Sequence, residues 1–296
     1  MTNSLKPLVK WVGGKRQLLS EIHRLLPPSH PERTYFEPFL GGGAVLFSLL
    51  PNRAIVNDVN AELINLYQIV KDQPADLINL VSSYPHEKEF YYRLRDLDRN
   101  PVDWQKLTRL EKAARTLYLN RAGFNGLYRV NAKGHYNVPF GRYKTLNFDT
   151  QNIWSVYEFL RSTSIEFSSV DYREALTRAK LGDFAYIDPP YDPTNPTSSF
   201  TAYTTGGFNR ENQIELRQEI DRLTDKGVYV MLSNSATDFV RNEYSGYTVH
   251  TVKARRQVNS KGTGRGYVEE IIVTNYDKRG ELHRNRAASA VQYPTV

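Results

Sequence analysis

The sequence predicts an α/β protein with a mostly parallel sheet, an antiparallel hairpin at its C-terminal end, and a helical insert that carries a β-hairpin. Three observations point there. Short β-prone runs alternate with helical stretches. From Ala61 to about Arg121 the pattern is helical throughout. Near the end, two β-prone runs flank a Gly-rich loop.

The first strand, Thr34–Phe39, runs into "YFEPFLGGGAVLF" (35–47), which reads as strand, glycine turn and apolar helix start. Glycine there lets the backbone turn tightly and approach a ligand, while a helix N-terminus favours an anion. A second strand, Ala54–Val59, ends in "NDVN", with Asp58 at its C-terminal end. An acid at that place can accept both ribose hydroxyls of a nucleoside cofactor. Capping the helix that starts at Ala61 is the plain alternative. GGGA is not GxGxxG, which disfavours NAD, and "WVGGKR" (11–16) lacks the spacing of a phosphate loop.

The insert spans 63–144. Pro74 starts a new helix after Asp72, and Thr108 with Glu111 predicts a capping box for a helix running to Asn120. "GFNGLYRVNAKGHYNVPFGRYK" follows, with Asn131 to Gly134 as the turn of a hairpin that mixes cations and aromatics. Beyond it come strands Ile165–Val170, Phe184–Asp188 and Val228–Ser233, then the hairpin Tyr247–Ala254 and Val268–Tyr276. The sheet-bearing unit is thus expected over 1–62 and 145–276. A polar, basic tail that frays is expected over 277–296.

Composition narrows the chemistry. Of 296 residues none is cysteine, which removes a thiol nucleophile and Cys-ligated zinc. C5-cytosine methylation and zinc deamination of a base are excluded with them. The net charge of +7 favours a polyanionic partner. No apolar run approaches a membrane span, and no signal peptide precedes Lys6. An intracellular home is compatible with the lack of cysteine.

"YIDPPYDP" (186–193) ends a buried strand on a carboxylate. Ligands of open α/β sheets bind at the C-terminal strand ends. Proline fixes φ, lacks an N–H and holds its predecessor extended. The Pro-Pro step therefore stiffens two acceptors, the Asp188 carboxylate and the Pro189 carbonyl, beside the Tyr191 ring. That set suits a flat base with an exocyclic amine; a turn that only stops the strand is the bland alternative.

In order, KWVGGK (10–15), EPFLGGG, the NDVN acid, GFNGLYRVN, NVPFGRY and DPPY resemble the Dam-type DNA adenine-N6 methyltransferases, including GATC-modifying members of restriction–modification systems. The resemblance runs from Lys10 to about Tyr276. It implies a Rossmann-like methyltransferase sheet, S-adenosyl-L-methionine as cofactor, double-stranded DNA as substrate, base flipping, and work on DNA in the cytoplasm of a bacterial, archaeal or phage-infected cell. A cognate restriction endonuclease would act on the same site without being a physical partner.

Carried over by position, Asp188, Pro189 and Tyr191 are the catalytic set. Trp11, Lys15, Phe39, Gly41, Gly42, Gly43, Asp58, Asp171, Tyr172 and Asp188 would meet the cofactor. Lys10, Phe124, Leu127, Arg129, Asn131, Pro139 and Tyr143 would meet DNA. Core packing is the simple alternative for Trp11 and Phe39. A lid is expected between Asp192 and Asn209, and backbone contacts from Arg255, Arg256 and Lys261. Cytosine-N4 or RNA amino-methylation stays open, as does a catalytically silent DNA-binding relative.

Overall fold

The computed structural model describes residues 5–11, 13–194, 207–255 and 267–283. Among them, seven strands form one sheet: β1 Tyr35–Glu37, β2 Arg53–Asn57, β3 Ser164–Ser168, β4 Phe184–Ile187, β5 Tyr229–Ser235, β6 Thr248–Arg255 and β7 Tyr267–Thr274. Their order is β3-β2-β1-β4-β5-β7-β6. β1 to β5 are parallel, and β7 runs antiparallel to both β5 and β6. Every strand end lies within two residues of its expected place. β1 stops at Glu37 because Pro38 has no N–H to continue a ladder.

All four residues of β4 are buried, as a central parallel strand covered on both faces requires. Its one polar side chain, Tyr186, bonds to Ser233 Oγ at 2.6 Å. On one face of the sheet lie helices Tyr172–Leu176, Arg210–Asp225 and Asp238–Glu243, which bury Leu176, Leu216, Ile220 and Val240 against β4 and β5. On the other lie Ala61–Asp72 and Thr150–Ser162. The insert's helices Pro74–Ser82 and Arg109–Ala122 pack behind Ala61–Asp72, so Val56, Leu63, Tyr67, Leu117 and Leu77 belong to one buried cluster.

Pro74 does open a helix, and Thr108 and Glu111 form the expected capping box. Arg115, fully buried in the helix so capped, pairs with Glu62 at 3.0 Å and Asp98 at 2.8 Å. Asp98 in turn accepts the Tyr136 backbone N–H at 2.7 Å, tying the recognition segment to the helices.

That segment differs from the expected hairpin. Gly134 donates to Asn131 across the turn at 2.9 Å, but only isolated bridges form, at Val130–Tyr136 and Gly123–Phe140. Tyr136 gives its N–H to Asp98, Val138 gives its carbonyl to Tyr91 Oη at 2.9 Å, and Pro139 has no donor. The backbone bonds go to the insert's helices and side chains, leaving too few for a regular ladder. Of the expected lid, residues 195–206 lie outside the described residues, as do Arg256, Lys261 and the tail from 284 on.

Candidate active site

Strand order reverses between β1 and β4, so the segments leaving their C-terminal ends part and open a crevice. The cleft there has a volume of about 1390 Å³, and the glycine loop after β1 and DPPY after β4 form facing walls. Trp11, Lys15, Phe39, Gly41, Asp58, Asp171, Tyr172, Asp188, Pro189 and Tyr191 all line it.

Gly41 and Gly43 stand at φ +49° and +69°, the left-handed region that favours glycine. A Cβ on Gly41 would lie 2.8 Å from the Trp11 ring. Trp11 therefore sits directly on the loop, and it also stacks on Tyr128 of the recognition segment at 4.9 Å and 26°. Of the three glycines only Gly41 reaches the cleft wall. Gly42 lies under Trp11, and Gly43 makes room for Phe47. Tyr67 Oη donates to the Gly41 carbonyl at 3.1 Å, fixing the loop from below.

Asp58 does not cap the Ala61 helix; Asn60 does, accepting from Leu63 N–H at 3.1 Å. The Asp58 carboxylate instead accepts the Gly41 N–H at 2.8 Å and the Asn60 N–H at 2.9 Å. Burial pushes its pKa up to about 6, against the lowering effect of those two bonds.

Asp188 leaves β4 facing Lys15, whose ammonium stands 2.8 Å from Oδ1, donates to the Gly13 carbonyl and lies 4.6 Å from the centre of the Tyr191 ring. Burial raises the Asp188 carboxyl to about 6; Lys15 opposes that rise and the Glu270 carboxylate adds to it. Tyr191 Oη donates to Glu270 Oε2 of β7 at 3.0 Å. Burial pushes the Tyr191 phenol well above its ordinary range, with Asp188 and Glu270 adding to the effect.

At the other end, Phe39 and Tyr172 lie 5.3 Å apart, and Phe208 stands edge-on to Phe39 at 6.1 Å. The buried Tyr172 hydroxyl has no hydrogen-bond partner among the described residues. Asp171 caps the short Tyr172–Leu176 helix and pairs with Arg173 at 2.9 Å, a bond that holds its carboxyl below the usual range. Asn57 ties three strand ends together: it donates to the Pro38 and Val170 carbonyls and accepts from Ser168 Oγ and Val170 N–H.

The family described as D12 class N6 adenine-specific DNA methyltransferase matches residues 11–258. The chain belongs to this family. It is 46% identical over 277 residues to the type II methyltransferase M1.LlaDCHI of Lactococcus lactis subsp. cremoris, covering 92% of this chain and 96% of that protein. With the type II methyltransferase M.MjaIII of Methanocaldococcus jannaschii it shares 40% identity over 292 residues, 92% of this chain and 99% of the relative. The DNA adenine methylase of Escherichia coli K12 is 35% identical over 271 residues, covering 90% and 94% respectively. The enzyme is thus an adenine-specific DNA methyltransferase, and its methyl donor is S-adenosylmethionine. That excludes cytosine N4 and RNA as its family's target. Among the described residues no helix is long and apolar enough to cross a membrane.

None of the seven residues that the resemblance assigns to DNA lines this methyltransferase cleft, although Tyr128, Val130 and Gly134 of the same segment do. Asn120 clamps the Lys10 backbone in both directions, 2.8 and 2.9 Å, and the exposed ammonium lies 5.7 Å from the Tyr143 ring centre. The Lys10 stem runs over Gly126, where a Cβ would come within 2.4 Å of it. Phe124 is 50% exposed and Leu127 half-buried. Arg129, exposed, donates to the Asn137 carbonyl at 2.7 Å. Asn131 is a turn-former: its Oδ1 accepts from Lys133 and His135 N–H. The Pro139 carbonyl accepts from Phe124 N–H at 2.9 Å. Trp11 on Tyr128 is the stacked contact between the loop and this segment.

Sequence reasoning missed Glu270, Phe208 and Asn57, and it counted Tyr128 among the hairpin's aromatics without its place in the cleft. Glu270 had a signal, since "VEEIIV" places two acids in a strand that packs both its faces and one must point at something polar. Phe208 had none.

Proposed function

We propose that the enzyme methylates adenine N6 within GATC in duplex DNA, with the target base flipped out of the helix. The observation that carries the catalytic part is the position of the Lys15 ammonium. A nitrogen donor 2.8 Å from Asp188 and 4.6 Å from the Tyr191 ring centre occupies the kind of place a target amine needs. GATC follows from the likeness of GFNGLYRVN and NVPFGRY to the Dam-type pattern.

The residues fit the cofactor. Asp58 keeps a free lone pair on each oxygen for the ribose hydroxyls, and Phe39, Tyr172 and Phe208 offer ring faces and edges for a flat base. Asp171 stands beside them, Trp11 and Gly41 close the loop end, and Gly42 and Gly43 shape the turn. When bound, S-adenosylmethionine supplies a methyl group activated by a sulfonium.

An aromatic amine is a weak nucleophile because its lone pair is delocalised into the ring. Accepting its two hydrogens at the Asp188 carboxylate and the Pro189 carbonyl localises that lone pair and orients it. The gain is preorganised electrostatics and orientation, with no covalent intermediate. Lys15 yields its contact with Asp188 to the incoming amine. Tyr191, steadied by Glu270, stacks on the base. A duplex hides the amine, so extrusion must precede transfer. We assign catalysis to 1–62 and 145–276 and recognition to 63–144. The type II names of two relatives support a role in protecting DNA from an endonuclease of the same site.

The test is plasmid from cells expressing the protein, cut with GATC endonucleases of opposite methylation sensitivity. Protection from one and susceptibility to the other is expected. N6-methyladenine in that DNA without altered digestion would assign another target sequence.

A further inference from the structure

Pro189 and Pro190 carry no N–H, so nothing on their own backbone can donate a bond to hold the turn after β4. The turn is held by two buried side-chain amides from separate elements. Gln213, on the Arg210–Asp225 helix, donates through Nε2 to the Pro190 carbonyl at 2.8 Å. Its Oε1 accepts from Asn234 Nδ2 of β5 at 3.0 Å. Asn234 Oδ1 then accepts the Asp192 N–H at 3.2 Å and the Ser235 N–H at 2.8 Å. The bonds close a ring over Pro190, Tyr191 and Asp192. Both amides are buried, and reversing either one would set donor against donor or acceptor against acceptor.

We propose that Gln213 and Asn234 are positioning residues for methyl transfer, a buried amide clamp that sets the direction of the Pro189 carbonyl and the Asp188 carboxylate. The proposal rests on the reading that those two groups accept the target amine. With both proline φ angles locked, the ψ angles of Pro189 and Pro190 are the soft torsions between Pro189 and Tyr191. Fixing the Pro190 carbonyl removes most of what freedom remains. Asp192 anchors the far end: its carboxylate takes Thr237 Oγ1 at 2.8 Å and Arg210 Nε at 3.1 Å, and its carbonyl takes Ser235 Oγ at 2.7 Å. The Arg210–Asp225 helix and β5 therefore hold the segment between them.

The test compares Gln213→Met, which cannot donate, with Gln213→Glu, which still accepts from Asn234 but donates to Pro190 only when protonated. Single-turnover methylation is measured beside calorimetric affinity for S-adenosylmethionine and for duplex DNA. Gln213→Met should transfer about 10- to 100-fold more slowly, the scale of a misplacement near an ångström, with both affinities within about threefold of the parent. The rate of Gln213→Glu relative to the parent should rise as pH is lowered, since only the acid form restores the donor. The charged groups of the same network, Asp192 and Arg210, pair with each other. Parent-like transfer by both variants would overturn the clamp. So would a pH-independent ratio for Gln213→Glu accompanied by equal losses in rate and both affinities. Should Gln213→Met not fold, the pH dependence of Gln213→Glu decides. Asp188→Ala runs alongside: if it retains turnover, the acceptor reading has failed, whereas an inactive Asp188→Ala with normal clamp variants sinks the clamp alone.

Discussion

The carboxylate of Asp58 accepts the backbone N–H of Gly41 at 2.8 Å, joining the end of β2 to the loop that leaves β1. One side chain thereby shapes the loop and faces the cleft. Asp58→Ala should weaken S-adenosylmethionine binding, each charge-assisted bond lost being worth about 1.5–3 kcal/mol, or about 10- to 150-fold in Kd. Calorimetry that finds parent-like affinity would leave Asp58 as a clamp for the loop and nothing more.

Asp188→Ala should abolish transfer in a folded protein that still binds cofactor. Substantial turnover by that variant would remove Asp188 from the chemistry.

The pH dependence follows from the Asp188 carboxyl, raised to about 6 chiefly by burial. The ionised form is the stronger acceptor for its one hydrogen of the amine and carries no competing donor, so transfer should rise with pH through about 6 and then level off. Lys15 pulls that value down from 2.8 Å away. In Lys15→Met the charged carboxylate of the free enzyme loses its partner, so the acid limb of kcat/KM should move to higher pH. A limb that stays put or moves down in kcat/KM profiles would show that Asp188 does not set it.

Arg129 and Lys144 separate reading from holding. Arg129 spends one donor on Asn137 and keeps the rest of its fork exposed. If that fork reads guanine, Arg129→Ala should favour near-cognate sites over GATC by about 5- to 150-fold, the worth of a bidentate pair. Lys144→Ala should weaken all sequences alike and reduce the salt slope by about one. Rates on GATC and its single-base variants at two salt concentrations distinguish the two. A uniform decline for Arg129→Ala would make it a phosphate contact.

Arg115→Met should lower stability by about 3–5 kcal/mol, because it leaves the partly buried Glu62 and Asp98 without their fully buried cation. Asp98 also holds the Tyr136 backbone, so the recognition segment should loosen with it. Denaturant unfolding measures the first effect and hydrogen exchange at Tyr136 the second. A loss under about 1 kcal/mol would mean the pair contributes little beyond burying its own charges.

Much of this protein is legible in its sequence because the deciding physics is local. Strand ends fall where Pro38 removes a donor or where apolar runs stop, glycine permits the left-handed turns at Gly41 and Gly43, and Thr108 with Glu111 announces a helix start. The order of those signals was enough to set KWVGGK, GGG, Asp58 and DPPY around one cleft. Tertiary structure alone decided which partner each group meets. Tyr191 and Glu270 are 79 residues apart, and Gln213 and Pro190 are 23 apart on different elements. Asp58 binding Gly41 instead of capping a helix, Lys15 facing Asp188, and Tyr136 leaving its ladder for Asp98 are choices between acceptors of equal chemistry. Packing makes that choice, by bringing one acceptor within 3 Å and burying the other away, and a linear pattern of residue types does not carry that distance.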